Sequence, residues 1–230
     1  MNIIQKTVGV VSALTFLAGS AFAVPSLQLD VSGGIYDLES ETVIAQGTEF
    51  TLYTLGNSKI DISDTYTLSI ALMPIMDEYA VFDAGSFVFN GDDISVTNSS
   101  MEFGTPSNDA GKELPPHGFY PTFYLEHSFQ FSETKRAISY NVENAPGGFN
   151  AAPDGDLFYE QFSLDISNLD NHYGLHFDLY NKTGWNGNGA IIKAPFSHDA
   201  QTGSTTVPEP ATISLVALSL VAVMAYRKRK

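Results

Sequence analysis

Between Val24 and Ala200 the chain alternates apolar and polar residues with period two almost throughout. SLQLDVSG (26–33), TEFTLYTL (48–55), TYTLSIAL (65–72), GSFVFNG (85–91), DISVTN (93–98), FYLEHSFQFS (123–132), RAISYNVE (136–143), LFYEQFSLDIS (157–167), YGLHFDLYN (173–181) and AIIKAPF (190–196) are rich in Val, Ile, Thr, Phe and Tyr, and each reads as a strand. Gly33-Gly34, Gly56-Asn57, Asn90-Gly91-Asp92, Pro115-Pro116, Pro146-Gly147-Gly148 and Pro153-Asp154-Gly155 punctuate them as turns. No stretch of this body sustains a helical period for three turns. In Leu175-His176-Phe177-Asp178-Leu179-Tyr180 the residues Leu175, Phe177 and Leu179 share one face, which belongs in a core, and His176, Asp178 and Tyr180 share the other. The expected architecture is an all-β, antiparallel β-sandwich of jelly-roll type over residues 24–200.

The alternation breaks at both ends. Residues 7–18 form a short apolar run behind Lys6, followed by Ala21-Phe22-Ala23, which is the plan of a secretory signal peptide over 1–23 cleaved after Ala23. At the other end, QTGSTT (201–206) is a small, polar spacer. Beyond it, residues 211–226 carry no charge, and a helix of that length covers about 24 Å, just short of the roughly 30 Å hydrocarbon core. Pro208 and Pro210 stop a regular helix from extending further toward the N-terminus. Arg227, Lys228, Arg229 and Lys230 follow at once and place the C-terminus on the cytoplasmic side of a weak C-terminal transmembrane helix.

The order Val207-Pro208-Glu209-Pro210, apolar helix, basic cluster over 207–230 resembles the PEP-CTERM sorting signal of exopolysaccharide-producing Gram-negative bacteria. The resemblance implies that Val207 to Pro210 are read by an exosortase, that Arg227 to Lys230 act as a stop, and that the inner membrane holds the protein only transiently. It also implies export by the secretion machinery to the cell surface or the extracellular matrix of a biofilm, with exopolysaccharide as a candidate partner. The body is similar to the choice-of-anchor N family in LQLDVSGGIYD (27–37), FTLYTL (50–55), GKELPPHGFYPTFY (111–124), HFDLYN (176–181) and APFSHDA (194–200). That resemblance implies a surface protein and supplies no catalytic residues.

Charge narrows the partners. Without leader and tail, the body keeps six Lys and Arg against 25 Asp and Glu, a net of −19. Such a surface repels nucleic acid and anionic headgroups. There are no cysteines, so disulfides and thiolate metal sites are excluded and the core must hold the domain together.

Candidate chemistry is sparse. His172 and His176 lie four apart, which on a strand separates them by about 13 Å. With His117 and His127 they sit beside aromatics in strand-like context and read as packing residues, so no zinc site is expected. Asp154 and Asp156, near Asn150, and the pair Asp92-Asp93 offer oxygens in Gly-containing loops, a weak case for structural calcium. Trp185, the only tryptophan, lies in NKTGWNGNG (181–189) and is a candidate for stacking on a sugar ring, the basis of an alternative reading as a glycan-binding module. A carboxylate pair acting on polysaccharide is a third reading, but chance pairs abound among 25 acidic residues and no hydrolase motif is present. No catalytic activity is predicted.

Overall fold

The computed structural model describes residues 24–183 and 191–203. The expected signal peptide, Trp185, the VPEP motif, the apolar run and the basic cluster lie outside these residues. In chain order the strands are β1 (Leu27–Val31), β2 (Ile35–Asp37), β3 (Thr42–Ala45), β4 (Glu49–Gly56), β5 (Tyr66–Met73), β6 (Asp83–Phe89), β7 (Asp92–Thr97), β8 (Glu102–Gly104), β9 (Thr122–Phe129), β10 (Arg136–Ala137), β11 (Leu157–Asp165), β12 (Gly174–Asn181) and β13 (Ala200–Thr202). The one helical element among the described residues is a 3₁₀ turn at Phe196–His198, and no helix there is long and apolar enough to cross a membrane.

Two sheets result. The first runs β1-β4-β11-β6-β7, with β10 on the edge of β11; the second runs β2-β3-β13-β12-β5-β9-β8. Period-two alternation gives each sheet one apolar face, and the two faces meet. Leu27, Leu29, Val31 and Leu52 of the first sheet and Leu68, Ile70, Leu72, Leu175, Phe177 and Leu179 of the second are essentially without exposure and belong to one core. Aromatic pairs join the layers: Phe50 of β4 meets Phe177 of β12 edge-on at 6.3 Å, and Phe89 of β6 meets His127 of β9 at 4.9 Å.

The expected all-β sandwich is thus present, and four local features differ from the sequence reading. First, every strand pairing is antiparallel except β13 with β3, which is parallel. Second, β2, β3 and β13 are three or four residues long, too short for alternation to mark them. The last of these takes Gln201 and Thr202 out of the expected spacer: Thr202 is buried, and its Oγ1 accepts the Leu175 amide at 2.9 Å. Third, RAISYNVE forms only the two residues of β10, because the segment then leaves the ladder and lies over the outer face of β1. Fourth, the described residues of AIIKAPF, 191–196, form no strand. Lys193 makes an isolated bridge to Tyr180, after which Pro195, which has no N–H, leads into the 3₁₀ turn.

Turn chemistry follows the sequence. Asn90 and Gly91 join β6 to β7 with φ of 52° and 92°, the left-handed pair that a two-residue hairpin needs. Both outer faces of the sandwich are partly roofed by loops. Residues 138–151 cover β1, and 105–121 together with 191–199 cover β12. All eight residues of β12 are consequently buried, including His176, Asp178 and Tyr180 on the face opposite the core.

Candidate functional site

On β12, residues 176, 178 and 180 point away from the core, as the alternation requires. The β5 residues paired with them, Ala71, Ser69 and Thr67, continue that face, and on β9 Glu126 pairs with Ser69. The result is a polar layer beneath a roof. Glu126 accepts hydrogen bonds from the Tyr180 hydroxyl and from Lys182 Nζ, which also donates to the Ser107 carbonyl at 3.1 Å. The roofing loop is braced by its own Asn108, whose Oδ1 accepts the amides of Ala110 and Lys112, and by buried Leu114.

The roof brings two further residues onto His176 and Asp178. His117 arrives from the 105–121 loop, with Gly118 at φ 92° behind it, and Asp199 arrives from the segment just before β13. One ligand-capable atom from each of His117, His176, Asp178 and Asp199 lies within 4.8 Å of the other three, the only such group of three or more among the described residues. His117 Nε2 is 2.9 Å from Asp178 Oδ1. His176 Nε2 is 3.5 Å from Asp178 Oδ2 and 3.9 Å from Asp199 Oδ2. All four side chains are closed off, with exposures of 1–4%.

Aromatic rings fix both imidazoles. His117 stacks on Phe196 at 4.0 Å and 5°, and His176 stacks on Phe119 at 3.6 Å and 9°. His117 Nδ1 lies 3.1 Å from the Pro115 carbonyl, an acceptor, which requires a proton on Nδ1 and leaves Nε2 turned toward Asp178. Tyr120 donates to Asp178 Oδ2 at 2.7 Å and sits 2.9 Å from Ser69 Oγ.

Hydrogen bonding is incomplete here. His117 Nε2, both ring nitrogens of His176 and Asp199 Oδ2 are buried with no hydrogen-bond partner; the 2.9 Å approach of His117 to Asp178 is close but misaligned. Electrostatics divide the two carboxyls. Asp178 is driven well below the usual carboxylate range: burial pushes it up, but His176 and His117 outweigh burial. Asp199 is pushed well above that range by burial and by the charge of Asp178, and Lys193 only partly offsets this. Lys193 is itself lowered by burial; its Nζ lies 3.1 Å over the Phe196 ring centre and donates to the Ala194 carbonyl.

The sequence-predicted residues fall elsewhere. His172 is not on β12 but in the preceding turn, exposed and bonded to Asp170, so it shares no face with His176. His117 is in a loop, not in a strand. Asp154 and Asp156 are exposed in the turn before β11, and Asp92 and Asp93 open β7 at the hairpin; none of them gathers a third ligand. His127 packs between Phe89 and Phe162 as expected. Asp199 carried no signal of its own, and neither it nor His117 is related to His176 by a ligand spacing. The available cue was chemical: HGFY, HFDLY and FSHDA each set His or Asp inside an aromatic run.

Residues 206–230 match the family described as the PEP-CTERM protein-sorting motif. The match bears out the PEP-CTERM resemblance of the tail and does not extend to the body, so the choice-of-anchor N resemblance has no counterpart in it. No curated protein and no solved structure matches the chain. The motif marks an exported protein, sorted by an exosortase toward the cell surface of a Gram-negative bacterium.

Proposed function

We propose that this is a surface or extracellular-matrix protein, held for a time in the inner membrane by residues 211–226 and cut by an exosortase at Val207 to Pro210. Its sandwich then works among exopolysaccharide, in a biofilm, without catalytic chemistry of its own. The observation that carries this reading is the three-part tail: V-P-E-P, sixteen uncharged residues and four consecutive cations, coincident with the matched sorting motif. Two prolines keep the strip outside the membrane extended and deny it backbone partners, which suits a peptide-reading groove. The cations resist translocation, so the long acidic body and the short basic end lie on opposite sides.

Two features of the body support a non-catalytic role. Its net charge of −19 suits a solvated matrix component and opposes adhesion to anionic lipid. Its one clustered set of histidines and carboxylates among the described residues is closed to solvent, where no polymeric substrate reaches it.

Replacing Pro208 and Pro210 with Ala in the native host, then measuring the mass and location of the product, tests the sorting step. The variant is expected to keep its tail and stay with the inner membrane, whereas the parent protein ends near the motif and reaches the surface. Identical processing of the two would overturn the proposal. Incubating the purified protein with matrix polysaccharides tests the rest: no cleavage is expected, and chain scission would make it a hydrolase or lyase.

A further inference from the structure

We propose that His117, His176, Asp178 and Asp199 form a closed, structural binding site for one divalent transition-metal ion of the zinc class, pinning the 105–121 loop and the 191–199 segment onto β12. Three observations converge on it. The first is spacing. Donor atoms bonded at about 2.0–2.1 Å in a tetrahedron lie about 3.3 Å apart. The approaches of 2.9 Å (His117 to Asp178), 3.5 Å (His176 to Asp178) and 3.9 Å (His176 to Asp199) lie around that value. One donor atom from each of the four lies within 4.8 Å of the others, so a small inward shift closes the set on an ion.

The second is the pattern of missing partners. Buried polar atoms are almost always bonded, and an orphan signals an ion or another role. Here His117 Nε2, His176 Nε2 and Asp199 Oδ2 are all orphaned, and their three residues belong to the one group whose donor atoms lie within 4.8 Å of one another. With Nδ1 committed to the Pro115 carbonyl, His117 has its unpartnered Nε2 on the side of Asp178, free to take an ion. A single ion satisfies these three atoms together and leaves, within the cluster, only His176 Nδ1 without a partner.

The third is charge. Asp178 and Asp199 are buried together with no ion pair to lysine or arginine at either one, so both can be ionised at once only with a further positive charge between them. A divalent cation supplies it in full, giving a neutral site.

The donor set selects the ion. Two imidazole nitrogens with two carboxylate oxygens suit zinc and its transition-metal neighbours, whereas calcium takes six to eight oxygens. The outer contacts resemble those that orient ligands in built sites: Pro115 O on His117 Nδ1, Tyr120 on Asp178, and an aromatic ring against each imidazole. Burial of all four side chains makes the site structural, since a catalytic metal keeps an open position.

The test uses the full chain without an affinity tag, stripped with chelator, dialysed, and titrated with Zn²⁺ by calorimetry. Elemental analysis gives the stoichiometry, and Co²⁺ absorption reports the geometry. One equivalent of Zn²⁺ per chain and the visible bands of tetrahedral Co²⁺ are expected. Asp199→Asn is expected to weaken Zn²⁺ at least 100-fold without lowering the melting temperature of the stripped protein, because Asn keeps the shape of the side chain and the Oδ2 it replaces has no hydrogen bond to lose; this separates ligand loss from misfolding. His117→Asn is expected to weaken Zn²⁺ at least 10-fold, and the Asp154→Asn/Asp156→Asn pair to leave it unchanged. No retained transition metal, an undiminished equivalent in Asp199→Asn, or selective binding of Ca²⁺ would each overturn the proposal. The first of these outcomes assigns the cluster to an imidazolium–carboxylate network instead.

Discussion

Each outer face of the sandwich buries aspartate under a loop, yet the two faces solve the problem differently. On the first sheet, Asp30 of β1 has no exposure, but every oxygen is bonded: Oδ1 accepts the amides of Val31 and Gly147 at 2.8 and 2.7 Å, and Oδ2 accepts the Tyr140 hydroxyl at 2.6 Å. Its neighbour Gln28 is equally committed, donating to the Tyr140 carbonyl and accepting the Val142 amide. On the second sheet, Asp178 and Asp199 are as deeply buried, and Asp199 Oδ2 has no donor. Burial raises Asp30 despite its donors, with Tyr140 the largest opposing influence; Asp199 is raised well above its ordinary range by burial and by the charge of Asp178, which Lys193 only partly offsets. The loop over Asp30 completes its hydrogen bonding from within the chain. The roof over β12 gathers polar atoms without partners, an arrangement that the proposed cation completes.

Both faces stand on one core, and the largest expected effect removes that common support. Phe177 lies on the reverse of β12 from His176 and Asp178 with no exposure, so Phe177→Ala is expected to cost about 3–5 kcal/mol. Denaturant unfolding measures it. A loss below about 1 kcal/mol would mean that the strand bearing the cluster is not anchored by the core.

Metal should then divide the faces. At a free Zn²⁺ concentration 100 times the dissociation constant, linkage adds about 2.7 kcal/mol to wild-type stability. Asp199→Asn is expected to lose that gain, and Tyr140→Phe to keep it. Equal Zn²⁺ responses from these two variants would erase the distinction between the faces.

Tyr140→Phe sharpens the other side. Removing the hydroxyl from a buried carboxylate is expected to cost about 1.5–3 kcal/mol, with or without Zn²⁺. A variant as stable as wild type would show that Asp30 does not depend on its loop.

The smallest effect is a pH slope inside the core. Burial lowers His127 below its ordinary 6.5, so the folded state resists a proton that the unfolded chain accepts. Its contribution is therefore complete above about pH 6.5 and declines as the pH falls through that value. In chelator, His127→Gln is expected to flatten the fall of melting temperature between about pH 7.5 and 5.5. Unchanged slopes would place the titration elsewhere.

What could be read in advance follows from the range of each interaction. Leu175, Phe177 and Leu179 declared their inward face because alternation is a local signal, and Asn90-Gly91 declared its hairpin because positive φ selects those residues. The tail was legible for the same reason, its three parts being contiguous. The cluster was not. His176 and Asp178 were assigned correctly to the outward face, but that this face is buried depends on a loop some 60 residues earlier and on a short parallel strand 20 residues later. Neither has a periodicity to announce it. RAISYNVE (136–143) misled in the opposite direction: its alternation resembles a strand, but beyond Ala137 it leaves the ladder and Tyr140 is used as a cap on Asp30.

The most direct measurement is a crystal structure of the protein grown with Zn²⁺, with anomalous differences collected at the zinc edge. One peak is expected at the centre of His117, His176, Asp178 and Asp199, about 2.0–2.2 Å from a donor atom of each. Featureless difference density there, with the imidazoles instead hydrogen-bonded to the carboxylates, would contradict the site.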